Sequence, residues 1–234
     1  MKVYVDWSAA GRQQDPAAVD QRVGDAARLL NEIDPTAANA LAAQYEAATG
    51  QKLDLSTPAF VLRQADGSRQ NRYISSETVQ VSGNTASPVP NPVIRGQDKE
   101  GSGGYLDSRD HQQRDHLGVD LVAQPGTPVT SAVDGTFQGA FDPYNGQKNS
   151  GKFTALRVET DDGKKVDLYY VGKAPDLVAG QRVTAGTTPM GSVQDLSKAY
   201  TNAITNHVHV SVMQKTPNGN EIYYDPTPIV FSRQ

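Results

Sequence analysis

Two of the four histidines in the chain are separated by a single residue, within the stretch TNHVHVSV at residues 205–212. Apolar and polar residues alternate there, which is typical of a β-strand with one buried face. The valines share the buried face, and the alternation places His207 and His209 together on the opposite face. Imidazoles two residues apart lie about 6.6 Å apart along a strand, so both can approach one metal ion or ligand. An exposed strand face that happens to carry histidines is the alternative.

A second pair of candidate ligands lies in the stretch RDHLGVDLV, residues 114–122. In an extended strand His116 and Asp120 would share the polar face, opposite an apolar row. An ideal strand would hold them roughly 13 Å apart, too far for a shared ion, so the chain must bend between them. Gly118 permits a bend, because glycine adopts backbone angles closed to other residues. Two such clusters in one domain favour a metal site over chance.

The composition limits the chemistry that these residues can perform. The 234-residue chain contains no cysteine, so no thiolate is available and any metal must be held by His, Asp or Glu. The net charge is −4, and no block of basic residues occurs, which argues against a nucleic-acid partner. No apolar run of about 18 residues is present, so membrane insertion is not expected.

Residues 95–234 must supply the strands that position these side chains. Short β-prone runs are separated there by Gly, Pro, Asn and Asp, without a convincing amphipathic helix, which predicts an all-β domain. The clearest predicted strands lie within residues 127–141, 152–160, 164–171, 181–186 and 206–214.

Residues 1–85 predict a small accessory or targeting domain. The helical spacing of apolar residues predicts one helix over residues 16–33 and a second from Thr36 to Gly50, joined as an antiparallel hairpin. A small β element follows the hairpin. Prolines and small polar residues in segment 86–94 predict a solvated linker between two domains. The predicted fold class of the whole chain is therefore α+β.

Five segments follow one another in a particular order along residues 93–228: HLGVD, QPGTPVTSAVDGTF, KVDLYYV, VAGQRVTAG and NHVHVSV. This order resembles the lysostaphin and LytM type of zinc metallopeptidases, which hydrolyse peptide bonds of bacterial peptidoglycan. The segments VIRGQDKEGSGGYLDSR, LYYVGKAP and DPTP look closest to the leukocyte cell-derived chemotaxin-like branch. The resemblance implies an antiparallel β domain of the duplicated hybrid motif type.

The resemblance also implies a role for each polar residue. It makes His116, Asp120 and His209 the ligands of one Zn²⁺ ion and leaves the fourth position to water, whose pKa falls to about 7. It makes His207 a catalytic histidine that does not bind the metal. Tyr105 matches the family tyrosine that steadies the oxyanion, with a spacing to His116 two residues longer than in the chemotaxin-like pattern. A surface tyrosine is the alternative at that position.

One expected catalytic residue is replaced in this sequence. Active family members carry a second catalytic histidine two residues after the tyrosine of a strand, and matching that tyrosine to Tyr169 puts Val171 in the histidine's place. Losing a general acid–base group typically removes 10² to 10⁴ of the rate. His111 is a possible substitute from a loop. A zinc-binding pseudoenzyme that holds a peptide, glycan or protein partner without cutting it is therefore the alternative to a hydrolase.

The expected substrate sets the expected location. Peptidoglycan lies outside the cytoplasm, yet the first ten residues, MKVYVDWSAA, do not predict a Sec-type signal peptide. Delivery as an antibacterial effector by a specialised secretion system is one interpretation, and an inhibitor or immunity protein is then the expected partner. A signal that was removed is the other.

Overall fold

The computed structural model describes residues 23–24, 27–28, 31, 34–55, 61–64, 72–109, 114–200, 204–215 and 221–232. Contacts between Cα atoms divide the chain into two compact units, residues 1–62 and 63–234. The structure is mostly β with few helices, which confirms that part of the predicted fold class.

Fourteen strands and two short α-helices are defined over the described residues. The helices are α1 (Pro35–Thr49) and α2 (Thr227–Val230), and a 3₁₀ turn spans Leu196–Lys198. The strands are β1 (Val61–Gln64), β2 (Arg72–Thr78), β3 (Ser108–Arg109), β4 (Arg114–Asp115), β5 (Val119–Val122), β6 (Pro128–Thr130), β7 (Gly135–Phe141), β8 (Ala155–Glu159), β9 (Lys165–Tyr169), β10 (Val171–Lys173), β11 (Arg182–Val183), β12 (Pro189–Val193), β13 (His207–Lys215) and β14 (Glu221–Asp225).

Helix α1 belongs to the first unit and is described along its whole length. It begins one residue before the predicted start, because the Asp34 carboxylate accepts hydrogen bonds from the amides of Thr36 and Ala37 at 3.1 and 3.0 Å. It ends at Gly50, whose φ of 74° is left-handed, as predicted. Of the predicted helix over residues 16–33, the structure describes residues 23–24, 27–28 and 31, which are helical, and the rest lies outside the described residues. No helix in the described part of the chain has the length and hydrophobicity of a membrane span.

The second unit is built around β13. Its main sheet runs in the order β2-β14-β13-β9-β8-β7-β11, and a smaller sheet has the order β10-β12-β6. On one side of β13, strand β5 pairs with its first half and β14 pairs with its second half. The side chains of Val208, Val210 and Val212 are completely buried, so the alternation predicted for this strand is confirmed. Its other face is left for the histidines.

The boundary between the units lies earlier than the predicted linker. Strand β2, expected in the N-terminal domain, pairs in parallel with β14 of the main sheet and covers what would be an open edge. The predicted linker packs on the β domain: Ala86 and Val89 are buried, and the Ala86 amide donates to the Ala132 carbonyl at 2.9 Å. Residues 86–94 fall within the second unit, where Ala86 and Val89 are buried and Val93 is exposed.

Candidate metal centre

Strand β13 places His209 between two partners. In the antiparallel register His209 lies directly opposite Asp120 of β5 on one side and Tyr169 of β9 on the other. Directly opposed residues in a sheet have Cβ atoms about 5 Å apart. The carboxylate and the imidazole therefore meet as a consequence of strand register, although 89 residues separate them in sequence.

His116 reaches the same place from outside the strand. Strand β5 begins only at Val119, so the predicted bend between His116 and Asp120 is present in the structure. The backbone amide of His116 donates to the Asp107 carbonyl at 3.0 Å, and its Nδ1 donates to the Gly104 carbonyl at 2.7 Å. The second bond fixes the tautomer of the neutral ring, so Nε2 carries the lone pair.

Gly118 is required for a different reason from the one predicted. Its φ does not lie in the left-handed region. Instead, a Cβ atom at this position would lie 2.3 Å from the Val210 carbonyl oxygen and 2.6 Å from Cε1 of His209. The absence of a side chain lets β13 and the His209 imidazole approach the bend.

Gly118→Ala is expected to destabilise the protein and to weaken metal binding. The methyl group would push on backbone as well as on the His209 ring, and such overpacking costs about 1–3 kcal/mol. Thermal unfolding and zinc titration measure the two effects. Gly96→Ala is the matched control, because a Cβ there meets no atom within 4 Å. Equal melting temperatures for the two variants would contradict the prediction.

Three ligand atoms converge on one point. Nε2 of His116 lies 2.9 Å from Nδ1 of His209 and 3.2 Å from Oδ1 of Asp120, and the last two atoms are 2.9 Å apart. The edges of a tetrahedron with metal bonds of about 2.0 Å are about 3.3 Å long, so the spacing suits one Zn²⁺ ion. A proton on Nδ1 of His209 can point at only one of the two neighbouring atoms, whereas a cation between the three atoms can bind all of them. This cluster could hold a metal ion.

A buried arginine holds the carboxylate in place. Arg95 donates to Oδ2 of Asp120 from Nε at 3.1 Å and from Nη2 at 2.9 Å, which leaves Oδ1 for the ion. Its Nη1 pairs with Asp98 at 2.6 Å. Burial alone would raise the pKa of Asp120, but its interactions with the three neighbouring imidazoles, that of His207 first, hold it well below its usual range. The carboxylate is therefore ionised and available as a ligand.

His207 lies beside the three ligands without joining them. Its Nε2 is 3.6 Å from Oδ1 of Asp120, and its Nδ1 donates to the Thr205 carbonyl at 2.7 Å. The lone pair on Nε2 consequently faces the cluster. Burial lowers the pKa of His207, which favours the neutral ring. This geometry is compatible with the prediction of a catalytic histidine that does not bind the metal, and the role of His207 stays a prediction.

The cluster lies in an open cavity of about 530 Å³. All four of these side chains line it, together with several aromatic residues. Tyr170 is one of them and has a φ of 65°, so the alternation breaks between β9 and β10. Tyr169 and Tyr170 consequently both line the cavity, while Val171 is 0% exposed and does not. Val171 was expected to face the site, but the break in alternation at Tyr170 turns it into the core.

One other candidate residue, Tyr105, does not line the cavity beside the cluster. The hydroxyl of Tyr105 donates to the backbone carbonyl of Tyr223 at 3.1 Å, and Tyr105 is not among the side chains that line the cavity. Its catalytic role stays a prediction. His111 lies outside the described residues.

Sequence reasoning missed Arg95 and the tyrosines of the cavity. Arg95 stands in the VIRGQD segment, where a lone buried arginine has no local pattern to mark it. The tyrosines Tyr144, Tyr170 and Tyr200 come from separate loops and strand ends. The doubled tyrosine in DLYYV was the available signal, since strict alternation would bury one of the two.

Comparison with known proteins gives similarities of fold only. Nothing matches among protein-family models or among curated proteins. Among solved structures, the antimicrobial peptidase lysostaphin from Staphylococcus simulans matches with 21% identity, a TM-score of 0.46 and coverage of 64% of this chain and 55% of that one. A putative peptidase M23 from Pseudomonas aeruginosa has 21% identity, a TM-score of 0.40 and coverage of 68% and 55%.

A zinc-containing peptidase from Vibrio cholerae matches with 19% identity, a TM-score of 0.41 and coverage of 65% of this chain and 41% of that one. The chain thus spans about half the length of these three structures, or less. Similarities at this level do not assign a family.

Proposed function

We propose that the second unit is a zinc metallopeptidase-like hydrolase of peptide bonds in bacterial peptidoglycan. The observation that carries the proposal is the convergence of His116, Asp120 and His209 at tetrahedral spacing in an open cavity. Structural zinc sites are closed by four protein ligands, whereas three candidate ligands converge here. His207 lies beside them without joining them, which favours a catalytic ion over a structural one. The peptidoglycan substrate is inferred from the order of the sequence motifs.

The chain's own residues can supply most of the chemistry. When bound, zinc would lower the pKa of a coordinated water and polarise the carbonyl of the scissile bond. His207 accepts a proton at Nε2, since its Nδ1 is committed to the Thr205 carbonyl. Arg95 keeps Asp120 ionised and oriented.

Purified peptidoglycan sacculi test this function. The zinc-loaded protein is expected to release soluble muropeptides, and His207→Ala is expected to lower the rate by about 10²- to 10⁴-fold because the proton acceptor is lost. Chromatography and mass spectrometry of the released fragments measure the rate and identify the cleaved bond. His209→Ala, which removes a ligand, serves as the negative control. Identical profiles for the parent and His209→Ala would exclude hydrolysis by this site.

A zinc-binding pseudoenzyme is the second candidate. It is favoured by Val171, which takes the place of the second catalytic histidine in the sequence and is buried away from the cavity. Under this alternative the cavity binds a peptide, glycan or protein without cutting it. A histidine substituted for Val171 would enter the core rather than the cavity, so that exchange cannot restore activity. Saturable binding of muropeptides by the parent, without release of fragments, would distinguish this candidate from the hydrolase.

Several broader expectations stay predictions from the sequence. They are action outside the cytoplasm, delivery as an antibacterial effector, an inhibitor protein as partner, a targeting role for the N-terminal residues and the placement in the chemotaxin-like branch.

A further inference from the structure

Tyr170 is next to Val171, the residue that takes the place of the expected second catalytic histidine in the sequence. Tyr170 adopts a φ of 65°, which is rare for a bulky residue and costs conformational energy. The surrounding backbone enforces it: the Tyr170 amide donates to the Thr154 carbonyl at 2.9 Å, and its carbonyl accepts from the Gln194 amide at 2.8 Å. Both bonds hold the side chain toward the cavity. Strain of this kind, at a residue that lines a candidate site, suggests a function.

The hydroxyl of Tyr170 belongs to a chain of three phenols. Tyr144 lies in the middle, with its oxygen 2.5 Å from that of Tyr170 and 2.6 Å from that of Tyr200. Three hydroxyls carry three protons, and the two contacts use two of them. Within the described part of the chain, neither terminal hydroxyl has another hydrogen-bond partner. If Tyr200 donates to Tyr144 and Tyr144 donates to Tyr170, the proton of Tyr170 is left to be donated to a ligand in the cavity.

The phenol chain is adjacent to the ion-binding cluster. The rings of Tyr170 and His207 pack edge to face, with their centroids 5.3 Å apart and an interplanar angle of 90°. All three tyrosines line the same cavity as the candidate zinc ligands. Burial raises the pKa of Tyr170 well above its usual range, so the hydroxyl keeps its proton at neutral pH. Tyr170 is thus a donor held rigidly beside the proposed reaction centre.

We propose that the Tyr170 hydroxyl donates a hydrogen bond to the carbonyl oxygen of the scissile peptide bond and to the oxyanion that develops on it. The proton stays on the phenol throughout, and Tyr144 orients the donor by hydrogen bonding to its oxygen. Tyr170 would replace the second catalytic histidine expected near Val171. The inference rests on the proposed hydrolase function and adds to it the residue that stabilises the transition state.

Tyr170→Phe removes only the hydroxyl and tests the inference. In the zinc-loaded protein, kcat for muropeptide dimers is expected to fall about 10²- to 10³-fold, with KM nearly unchanged, because an oxyanion donor acts in the transition state. Zinc content should equal that of the parent. Tyr224→Phe is the matched control: Tyr224 is buried, its hydroxyl bonds Gln214 at 3.3 Å, and it does not line the cavity. We expect parental kinetics for it.

A binding measurement separates this inference from the hydrolase proposal. The affinity of the zinc-loaded protein for a phosphinic analogue of alanylalanine, a mimic of the tetrahedral oxyanion, is compared with that for alanylalanine amide. Tyr170→Phe is expected to weaken binding of the phosphinic compound alone. If the parent cleaves muropeptides and Tyr170→Phe cleaves them equally fast, the inference is wrong and the hydrolase stands. If the parent cleaves nothing, the hydrolase fails, and equal phosphinic affinities would overturn the inference as well.

Discussion

His209→Ala is expected to abolish zinc binding, whereas His207→Ala retains the ion. Nδ1 of His209 lies 2.9 Å from both other ligand atoms, so its loss leaves two ligands. Zinc held by four good ligands is bound with about 10–16 kcal/mol. Removing one of three protein ligands should therefore weaken binding on the order of 10³-fold. His207 is expected to be dispensable for binding because Nε2 lies 3.6 Å from Oδ1 of Asp120, outside the triangle of ligand atoms.

Zinc per chain, measured by mass spectrometry of the metal after gel filtration against a weak chelator, tests this assignment. The parent and His207→Ala should carry about one ion each, and His209→Ala almost none. Zinc-dependent thermal stabilisation should follow the same order. Retention of zinc by His209→Ala together with its loss from His207→Ala would reverse the roles of the two histidines.

Arg95→Leu is expected to cause the largest loss of stability. Arg95 is 2% exposed and pairs with Asp98 and Asp120, so its removal leaves two carboxylates without their cation in a dry environment. Breaking a buried pair by removing one partner typically costs about 3–5 kcal/mol. The loss should be greater in the zinc-free protein, because a bound dication would partly neutralise Asp120. Zinc affinity should also fall about 10- to 100-fold, since the carboxylate loses its orientation.

Urea denaturation of the zinc-free and zinc-loaded protein measures both effects for Arg95→Leu. Arg182→Leu is the matched control, because Arg182 also pairs with an aspartate, Asp161, but its side chain is 57% exposed. Solvent screens such a pair, so its removal should leave the unfolding midpoint nearly unchanged. Similar midpoints for the two variants would show that the buried guanidinium is not needed to hold the fold.

The two halves of the candidate metal cluster could be predicted from the sequence because the spacing within each half, His116 to Asp120 and His207 to His209, is local. The alternation in residues 207–212 determines which face is buried, and that alone separates the histidines from the valines. The bend at Gly118 was predicted correctly from the distance that an ideal strand would impose. Its physical cause was not, because the close approach of the Val210 carbonyl is a contact between strands distant in sequence.

The remaining differences have the same origin. The parallel pairing of β2 with β14 joins residues whose side chains Arg72 and Glu221 are 149 positions apart, and no pattern in either strand specifies the partner. Val171 was expected to face the site because an unbroken alternation would place it on the same face as Tyr169. The left-handed backbone of Tyr170 interrupts this alternation. A single backbone angle thus decides which side chain faces the cavity, and composition does not reveal it.

The pairing of β2 with β14 also has a consequence for biosynthesis. Strand β2 leaves the ribosome long before its neighbour is made, since the paired side chains Arg72 and Glu221 are 149 positions apart. The central strand β13, which carries the two histidines, is flanked by β14 and is translated just before it. A nascent chain therefore holds an incomplete sheet until synthesis passes residue 225, and the ability to capture metal should arise late in translation.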